Sequence, residues 1–386
     1  MNTFTYKYPV TVYFGEHAVA NNLPAELQKV GKNVLLAYGG GSVKKNGILD
    51  EIKMLLAKAG KNVTEFSGIM SNPTYAKVQE GARLAKENHV DFILAVGGGS
   101  VIDCCKVVSA QAKLDTDLWE LEYTQGKMPT EFLPIGAIVT AFGTGAEMNS
   151  GAVITNEDKK LKSSLRGAAY AFAILDPLYT MTMPMRQVVS GAFDSLSHCM
   201  EAYMGLPDEE NLTDDLNEAC QRNIIRNLRS TLKNPQDVRT RGELVWAAAM
   251  AENGILIIGK DNGFQTHMLE HQLGAYTDCN HGQGLAVIHP ILYRHMLPEA
   301  KDKFARLAVR VWGIDPRGKT QEELADAFIR ELSAFITEID LPTTFTEMKI
   351  PADTDYKAIA NSTFLVNGCC KKFTHDELYE VLTECI

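Results

Sequence analysis

The chain lacks the features that would place it in several large classes. Its eight cysteines form no Cys-x-x-Cys pair; they stand at Cys104-Cys105, Cys199, Cys220, Cys279, Cys369-Cys370 and Cys385. Adjacent cysteines rarely bridge, so no disulfide framework is expected, and reduced thiols imply a cytoplasmic setting. No apolar run approaches the roughly 18 residues that a membrane helix needs. Residues 1–15 show no basic segment followed by an apolar one, so no signal peptide is expected. Positive charge is in deficit: 38 Lys+Arg against 48 Asp+Glu leaves −10. An acidic protein repels polyanions, which argues against nucleic acid or an anionic membrane as the main partner. It leaves room for one phosphate bound locally. Internal repeats, heptads and low-complexity stretches are absent.

What is present is an ordinary globular composition, 45% hydrophobic and 22% charged over 386 residues. At about 150 residues per domain, two or three domains are expected. In the first half, short apolar runs alternate with helical patterns. Strands are expected at Asn33–Tyr38, Asp91–Val96, Phe132–Val139, Ala152–Thr155 and Ala171–Leu175, with a helix over Ile48–Ala59. Such alternation implies a parallel sheet covered on both faces. After Asp176-Pro177 the spacing turns helical, as at Leu244, Ala248, Ala251 and Ile255. The expected boundary lies near 180: an α/β domain over 1–180, then an all-helical domain over 181–386. The acidic segment Asp208–Asp215 reads as a solvated loop.

Two Gly-Gly-Gly-Ser loops, Gly39 to Ser42 and Gly97 to Ser100, each follow a strand and open a helix. Glycine lets backbone amides approach a phosphate, and a helix N-terminus adds partial positive charge. Neither loop fits the Gly-x-Gly-x-x-Gly fingerprint, because Ile102 occupies the position of the third glycine, so the dinucleotide fold is a variant. Either loop alone could be a tight turn. A third stretch, Thr140 through Asn149, interleaves hydroxyls and small residues in a way that suits a ribose or nicotinamide. An enzyme that selects NAD often places a carboxylate after the relevant strand. Here Tyr38 is followed by glycine, with Lys44 and Lys45 just beyond, which favours a 2′-phosphate and hence NADP, with NAD as the lesser alternative.

Six of the nine histidines fall between 198 and 295. Asp194 and His198 are four apart and share a helix face amid Val188, Val189, Ala192, Phe193 and Met200. His267 and His271 repeat that spacing on a second helix, and His281 follows in a glycine-rich turn, His281-Gly-Gln-Gly284. A carboxylate and imidazoles buried together need a partner, and a divalent cation is an efficient one. The donors suit iron(II), zinc, cobalt or manganese without ranking them. His289 and His295 read as structural or pocket residues. His17, His89 and His375 read as surface residues.

These motifs resemble the iron-containing (group III) alcohol dehydrogenases, in the butanol dehydrogenase-like branch of NADPH-dependent aldehyde reductases. The carriers are Tyr38-Gly-Gly-Gly-Ser-Val-Lys-Lys-Asn-Gly47, Gly97-Gly-Gly-Ser-Val-Ile-Asp103, Thr140–Asn149, Asp194-x-x-x-His198, and His267-Met-Leu-Glu-His271 through His281-Gly-Gln-Gly-Leu-Ala286. The resemblance covers essentially the whole chain. It implies a Rossmann-like dinucleotide-binding domain followed by a helical metal-binding domain, a dehydroquinate synthase-like fold. It implies that Asp194, His198, His267 and His281 bind one divalent metal, iron(II) first. His271 would line the site without ligating and relay a proton. Gly97, Gly98, Gly99 and Ser100 would hold the pyrophosphate; Asp103, Thr140, Thr144, Asn149 and Lys162 would contact the cofactor, with Lys160 a substitute for Lys162; Gly39, Gly40 and Ser42 would surround the ribose and its 2′-phosphate. The implied reaction is hydride transfer between NADP(H) and a small primary alcohol or aldehyde, by a homodimer. Gln265 and Val101 depart from common family residues, and Gln265 puts the shape of the substrate pocket in question. The competing readings are an NAD-dependent polyol dehydrogenase on the same fold and a non-catalytic nucleotide-binding protein.

Overall fold

The computed structural model describes residues 1–386. The chain divides into two compact units. The first comprises Lys7–Pro184 with Gln236–Ala249, and the second Met1–Tyr6, Met185–Pro235 and Met250–Ile386.

The first unit is built on strands β1 (Thr11–Phe14), β2 (Asn33–Gly39), β3 (Asn62–Ile69), β4 (Phe92–Gly97), β5 (Ile135–Val139), β6 (Gly151–Asn156), β7 (Leu161–Arg166) and β8 (Phe172–Leu175). Six of them form one parallel sheet in the order β1-β8-β5-β4-β2-β3. The apolar runs of β2 and β4 occupy its centre, as buried parallel strands require. β3 escapes sequence reading because it is an edge strand, largely exposed and polar. The expected strand at Ala152–Thr155 exists as β6, but it pairs antiparallel with β7 in a separate hairpin rather than joining the main sheet. β5 starts at Ile135, three residues later than expected, because Pro134 lacks the N–H that a central strand needs.

Helices α1 (Ala18–Leu27), α2 (Ser42–Lys45), α3 (Ile48–Lys58), α4 (Tyr75–Glu87), α5 (Gly99–Gln111) and α6 (Pro177–Thr180) complete this unit. Val19, Leu23 and Leu27 of α1 and Leu49, Ile52 and Leu56 of α3 pack on one face of the sheet, against Val34, Leu36, Leu94, Val96 and Ile174. α4 and α5 pack together, and α5 lies against β2, β4 and β5. Residues 236–249 belong here through specific bonds: Arg241 Nη1 donates to Thr180 O at 2.5 Å, and the Phe14 and Trp246 rings lie 6.0 Å apart.

The second unit is helical: α7 (Met185–Tyr203), α8 (Leu212–Lys233), the end of α9 (Val238–Glu252), α10 (Gln265–Thr277), α11 (His281–Arg310), α12 (Gln321–Glu338), α13 (Tyr356–Ser362) and α14 (His375–Glu384). Nearly all of α7 from Val188 onward is buried, including its polar residues. α11 packs against α7, α10, α12 and α14, and Tyr293, Phe304 and Phe328 meet ring to ring between α11 and α12. Three sequence expectations change. His281 is the first residue of a long helix, not part of a turn. The helical pattern through Ile255 breaks at Gly254, which takes φ 85°. The acidic segment is a solvated loop only as far as Glu210; Asp214 is buried in α8 and pairs with Lys260. All eight cysteines are free thiols. No helix is long and apolar enough to cross a membrane.

Candidate functional site

Within the second unit, three helices bring their polar residues to one point. Asp194 and His198 lie on α7, His267 in the first turn of α10, and His281 at the start of α11. Asp194 Oδ1 stands 3.5 Å from both His267 Nε2 and His281 Nε2, and ligand atoms of these three residues lie within 4.8 Å of one another. His198 stands beside this set: its ring stacks on His267 at 4.4 Å and 16°, and its Nδ1 is 3.7 Å from Asp194 Oδ1. Asp194 Oδ1, His198 Nδ1 and His267 Nε2 are buried and make no hydrogen bond. Buried polar atoms are rarely left so. Asp194 Oδ1 and His267 Nε2, with His281 Nε2 beside them, fit a divalent cation, which imidazole and carboxylate ligate well; His198 Nδ1 lies next to Asp194, outside that set.

The electrostatics agree. Burial would raise the Asp194 carboxyl, but the surrounding imidazoles outweigh it and hold the group well below the usual carboxylate range. Burial drives His198 down to about 3, against Asp194, so it is a neutral donor. His267 and His281 are pushed the other way. Burial opposes their protonation, yet Glu201 and Asp194 carry His267 to about 10, and Glu270 and Asp194 raise His281. Asp194, Glu201 and Glu270 therefore form a buried anionic cluster that demands positive charge. A dication would compete with protons for the imidazole nitrogens.

Glu201, Glu270 and Glu252 were missed by sequence reading. Glu201 accepts from the backbone N–H of Thr266 at 2.7 Å and of His267 at 3.2 Å, and bonds His267 Nδ1. Glu270 bonds His281 Nδ1. Glu252 Oε1 lies 3.7 Å from His198 Nε2. Glu201 had a legible signal, since positions 194, 198 and 201 recur at helical spacing on one face of an apolar helix. Phe264 was also missed; its ring stands edge-on to His198 and His267 at 6.1 and 5.6 Å. His271 is buried one turn beyond His267, with its ring 5.5 Å from that of His281. Gln265 is buried too, but its amide is spent on the backbone: it donates to Phe364 O and accepts from Val366 N, both at 3.1 Å. It ties α10 to the 364–366 segment. His289 is a core residue bonded to Ser197 at 2.6 Å, and His295 pairs with Glu384. His375 is half-buried rather than on the surface, bonded to Thr363 O.

Within the first unit, the glycine loops differ in purpose. A Cβ on Gly97, Gly98 or Gly99 would meet Val101, Ala141 or Thr144 at 2.5, 2.9 or 2.2 Å. The protein's own packing requires these glycines, which let the loop beginning at Thr140 press on the start of α5. Thr140 N donates to Gly97 O, and Ser100 is tied to Ser71 O. Around Gly40, in contrast, a Cβ would meet nothing within 4 Å, which leaves space for a ligand. Gly39 lies against Ile69 O, and Lys44 Nζ lies 5.1 Å over the Tyr38 ring. Glu65, on the neighbouring strand, is occupied by the Tyr38 hydroxyl at 2.5 Å and by Lys53 at 2.7 Å. Asp103 and Asn149 converge through a residue the sequence did not mark: the fully buried Lys106 donates to Asp103 at 3.1 Å, Asn149 at 3.0 Å and Gly151 O at 2.5 Å. Thr144 accepts from Ala146 N. Lys162 is buried in β7, whereas Lys160 is exposed with φ 48°.

Comparison with known proteins bears directly on both units. The family model "Iron-containing alcohol dehydrogenase" matches residues 9–177, and "Fe-containing alcohol dehydrogenase family, C-terminal" matches 188–386. The chain is 38% identical to a probable NADH-dependent butanol dehydrogenase of Bacillus subtilis, over 99% of both chains. It is 35% identical to an NADPH-dependent aldehyde reductase of Escherichia coli, over 90% of this chain and 89% of that one. The crystal structure of an NADH-dependent butanol dehydrogenase A from Thermotoga maritima superimposes with a TM-score of 0.93 at 30% identity, covering 100% of this chain and 99% of that one. A sheet with glycine loops, a helical unit with converging histidines and full-length similarity lead to one conclusion: the chain belongs to the iron-containing alcohol dehydrogenase family, and is an NAD(P)-dependent oxidoreductase of alcohols and aldehydes.

Proposed function

We propose that the protein interconverts small aliphatic aldehydes and primary alcohols, such as butanal and butanol, using NADP(H) and one divalent cation held by Asp194, His198, His267 and His281. The observation that carries this reading is the convergence of buried, unsatisfied Asp194 Oδ1 and His267 Nε2 with His281 Nε2. A cation there, iron(II) first among iron, zinc, cobalt and manganese, supplies Lewis acidity toward a carbonyl oxygen, and the nicotinamide supplies the hydride. The protein's part is orientation and exclusion of water. Phe264 borders the ligands with an apolar edge. His271, in the same buried cluster, holds the proton that the nascent alcohol takes up.

In the first unit, the loop Gly97–Ser100 and the start of α5 hold the pyrophosphate. Asp103, Thr140, Thr144, Asn149 and Lys162 meet the nicotinamide half, with Asp103 and Asn149 fixed by Lys106. Gly39, Gly40 and Ser42 surround the adenosine ribose. Support for the 2′-phosphate comes from glycine at 39, Lys44 and Lys45 beside it, and a Glu65 already engaged elsewhere. The Bacillus subtilis and Thermotoga maritima relatives are named NADH-dependent, which gives NAD(H) standing as the second reading.

The test is anaerobic turnover of butanal by iron(II)-reconstituted protein, with NADPH and NADH in parallel and chelated protein as control. The expected result is chelator-sensitive oxidation of NADPH, faster than of NADH. Faster NADH oxidation would overturn the 2′-phosphate assignment alone. Undiminished activity after complete metal removal would overturn the cation. Asp194→Asn and His267→Ala should lose metal and turnover together, and full turnover by His271→Ala would remove its proton role.

A further inference from the structure

We propose that Glu201 and Glu270 are positioning residues, which aim His267 and His281 at the cation and set how tightly it is held. Each is a buried carboxylate bonded to the Nδ1 of one candidate ligand, and each leaves that ring's Nε2 facing Asp194. Neither has surface through which water could take its place, Glu201 being 3% and Glu270 0% exposed.

Their settings are built, not incidental. α10 has no side-chain cap of its own. Glu201, arriving from α7, serves that purpose by accepting the Thr266 and His267 amides. One carboxylate thus fixes both the backbone and the ring of His267. Glu270 is admitted by Gly284, where a Cβ would stand 2.9 Å from Glu270 Cγ. The glycine two residues before it, Gly282, lets the start of α11 close on Ser190 of α7. The spacing His281-Gly-Gln-Gly284 therefore records the seating of a ligand and its partner.

The chemistry of the bond gives the consequence. A carboxylate accepts only, so Nδ1 must donate and Nε2 must present its lone pair once its proton is displaced. In Glu201→Gln the Thr266 amide retains the carboxamide oxygen, and the NH2 group falls opposite Nδ1 and the His267 backbone N–H, which loses its acceptor. The imidazole then takes the Nε2–H tautomer, which has no lone pair for a metal. The variant keeps the shape and the Thr266 cap bond but loses the ligand. Each Gln variant also removes one of the carboxylates that surround the candidate ligands.

The inference rests on the metal reading above, and its test separates the two. Wild type, Glu201→Gln, Glu270→Gln and the double variant are stripped of metal and titrated with cobalt(II) against a competing chelator. Dissociation constant, stoichiometry and visible d–d absorption are recorded, with thermal melting of the metal-free proteins as control. Expected are cooperative melts of the metal-free variants, and cobalt(II) held roughly 10- to 100-fold more weakly by each single variant. The d–d band should also shift in position or intensity. Wild-type affinity and spectrum in both variants would overturn the inference and leave the metal site standing. Failure of wild type itself to bind cobalt(II) would overturn the metal reading. A stoichiometry that falls from two to one in Glu270→Gln would make Glu270 a ligand, with His271 and His281, of a second cation, and would also overturn the positioning role. Should Glu201→Gln fail to fold, Glu270→Gln carries the test alone, since Glu270 caps no helix.

Discussion

Lys106 has no exposed surface and three oxygen partners contributed by Asp103, Asn149 and Gly151. It joins the start of α5 to the hairpin strand β6 across a gap that sequence alone does not reveal. Lys106→Met should destabilise the protein by about 3 kcal/mol, because removing one member of a buried ion pair strands the other. It should also weaken NADPH binding, as fluorescence titration would measure. A neighbouring residue gives a pH signature. Burial pushes Glu147 up to about 7, against Lys106. A carboxyl whose folded value exceeds its unfolded one contributes stability in full below pH ~4.5 and loses it as pH rises through ~7. Glu147→Gln should therefore gain on wild type by about 3 kcal/mol between pH 4.5 and 8, in denaturant melts at each pH. A constant difference across that range would show Glu147 ionised when folded. Legibility at this scale follows periodicity. Asp194, His198 and His267 announce themselves because charged or imidazole groups sit on apolar helices at spacing four. Lys106 does not, because Asn149 and Gly151 lie 43 and 45 residues away, nor does Glu270, whose partner His281 begins the next helix.

At the scale of elements, the buried strands β2, β4 and β8 were readable as apolar runs bounded by glycine or proline, and the helices of the second unit as repeats of 3.6. β3 was not, since an edge strand has little apolar surface to bury. β6 was legible as a strand but not as a hairpin partner, because local pattern does not encode which strand it meets. The start of α11 offers a direct test of how elements position ligands. A methyl on Gly282 would stand 2.3 Å from Ser190 O, a backbone atom that cannot step aside. Gly282→Ala should cost 1–3 kcal/mol by overpacking and should lower metal occupancy, because the displaced residue follows His281 directly. Calorimetry paired with metal analysis checks both. Normal occupancy in a destabilised variant would show that His281 adjusts independently of its helix.

For the whole molecule, the candidate cation ligands belong to one unit and the dinucleotide loops to the other. A ligand stabilises the state that binds it, by about 2.7 kcal/mol at a hundredfold excess over its dissociation constant. Metal loading should slow amide exchange in residues 185–235 and 250–386 and leave the central strands β2 and β4 little changed. NADPH should do the reverse. Equal slowing throughout by the metal alone would mean that the two units open only together.

The discontinuity of the first unit bears on how such enzymes can be recombined. Arg241 and Trp246 return, after two helices of the other unit, to meet Thr180 and Phe14. A chimaera joined near residue 181, which looks like the natural seam, would therefore pair a native sheet with a foreign 236–249 segment. A protein truncated there would leave Phe14 and the Thr180 carbonyl without their partners. Exchange of cofactor preference between relatives should succeed only when residues 7–184 and 236–249 travel together, so the inheritable module is two stretches of gene rather than one.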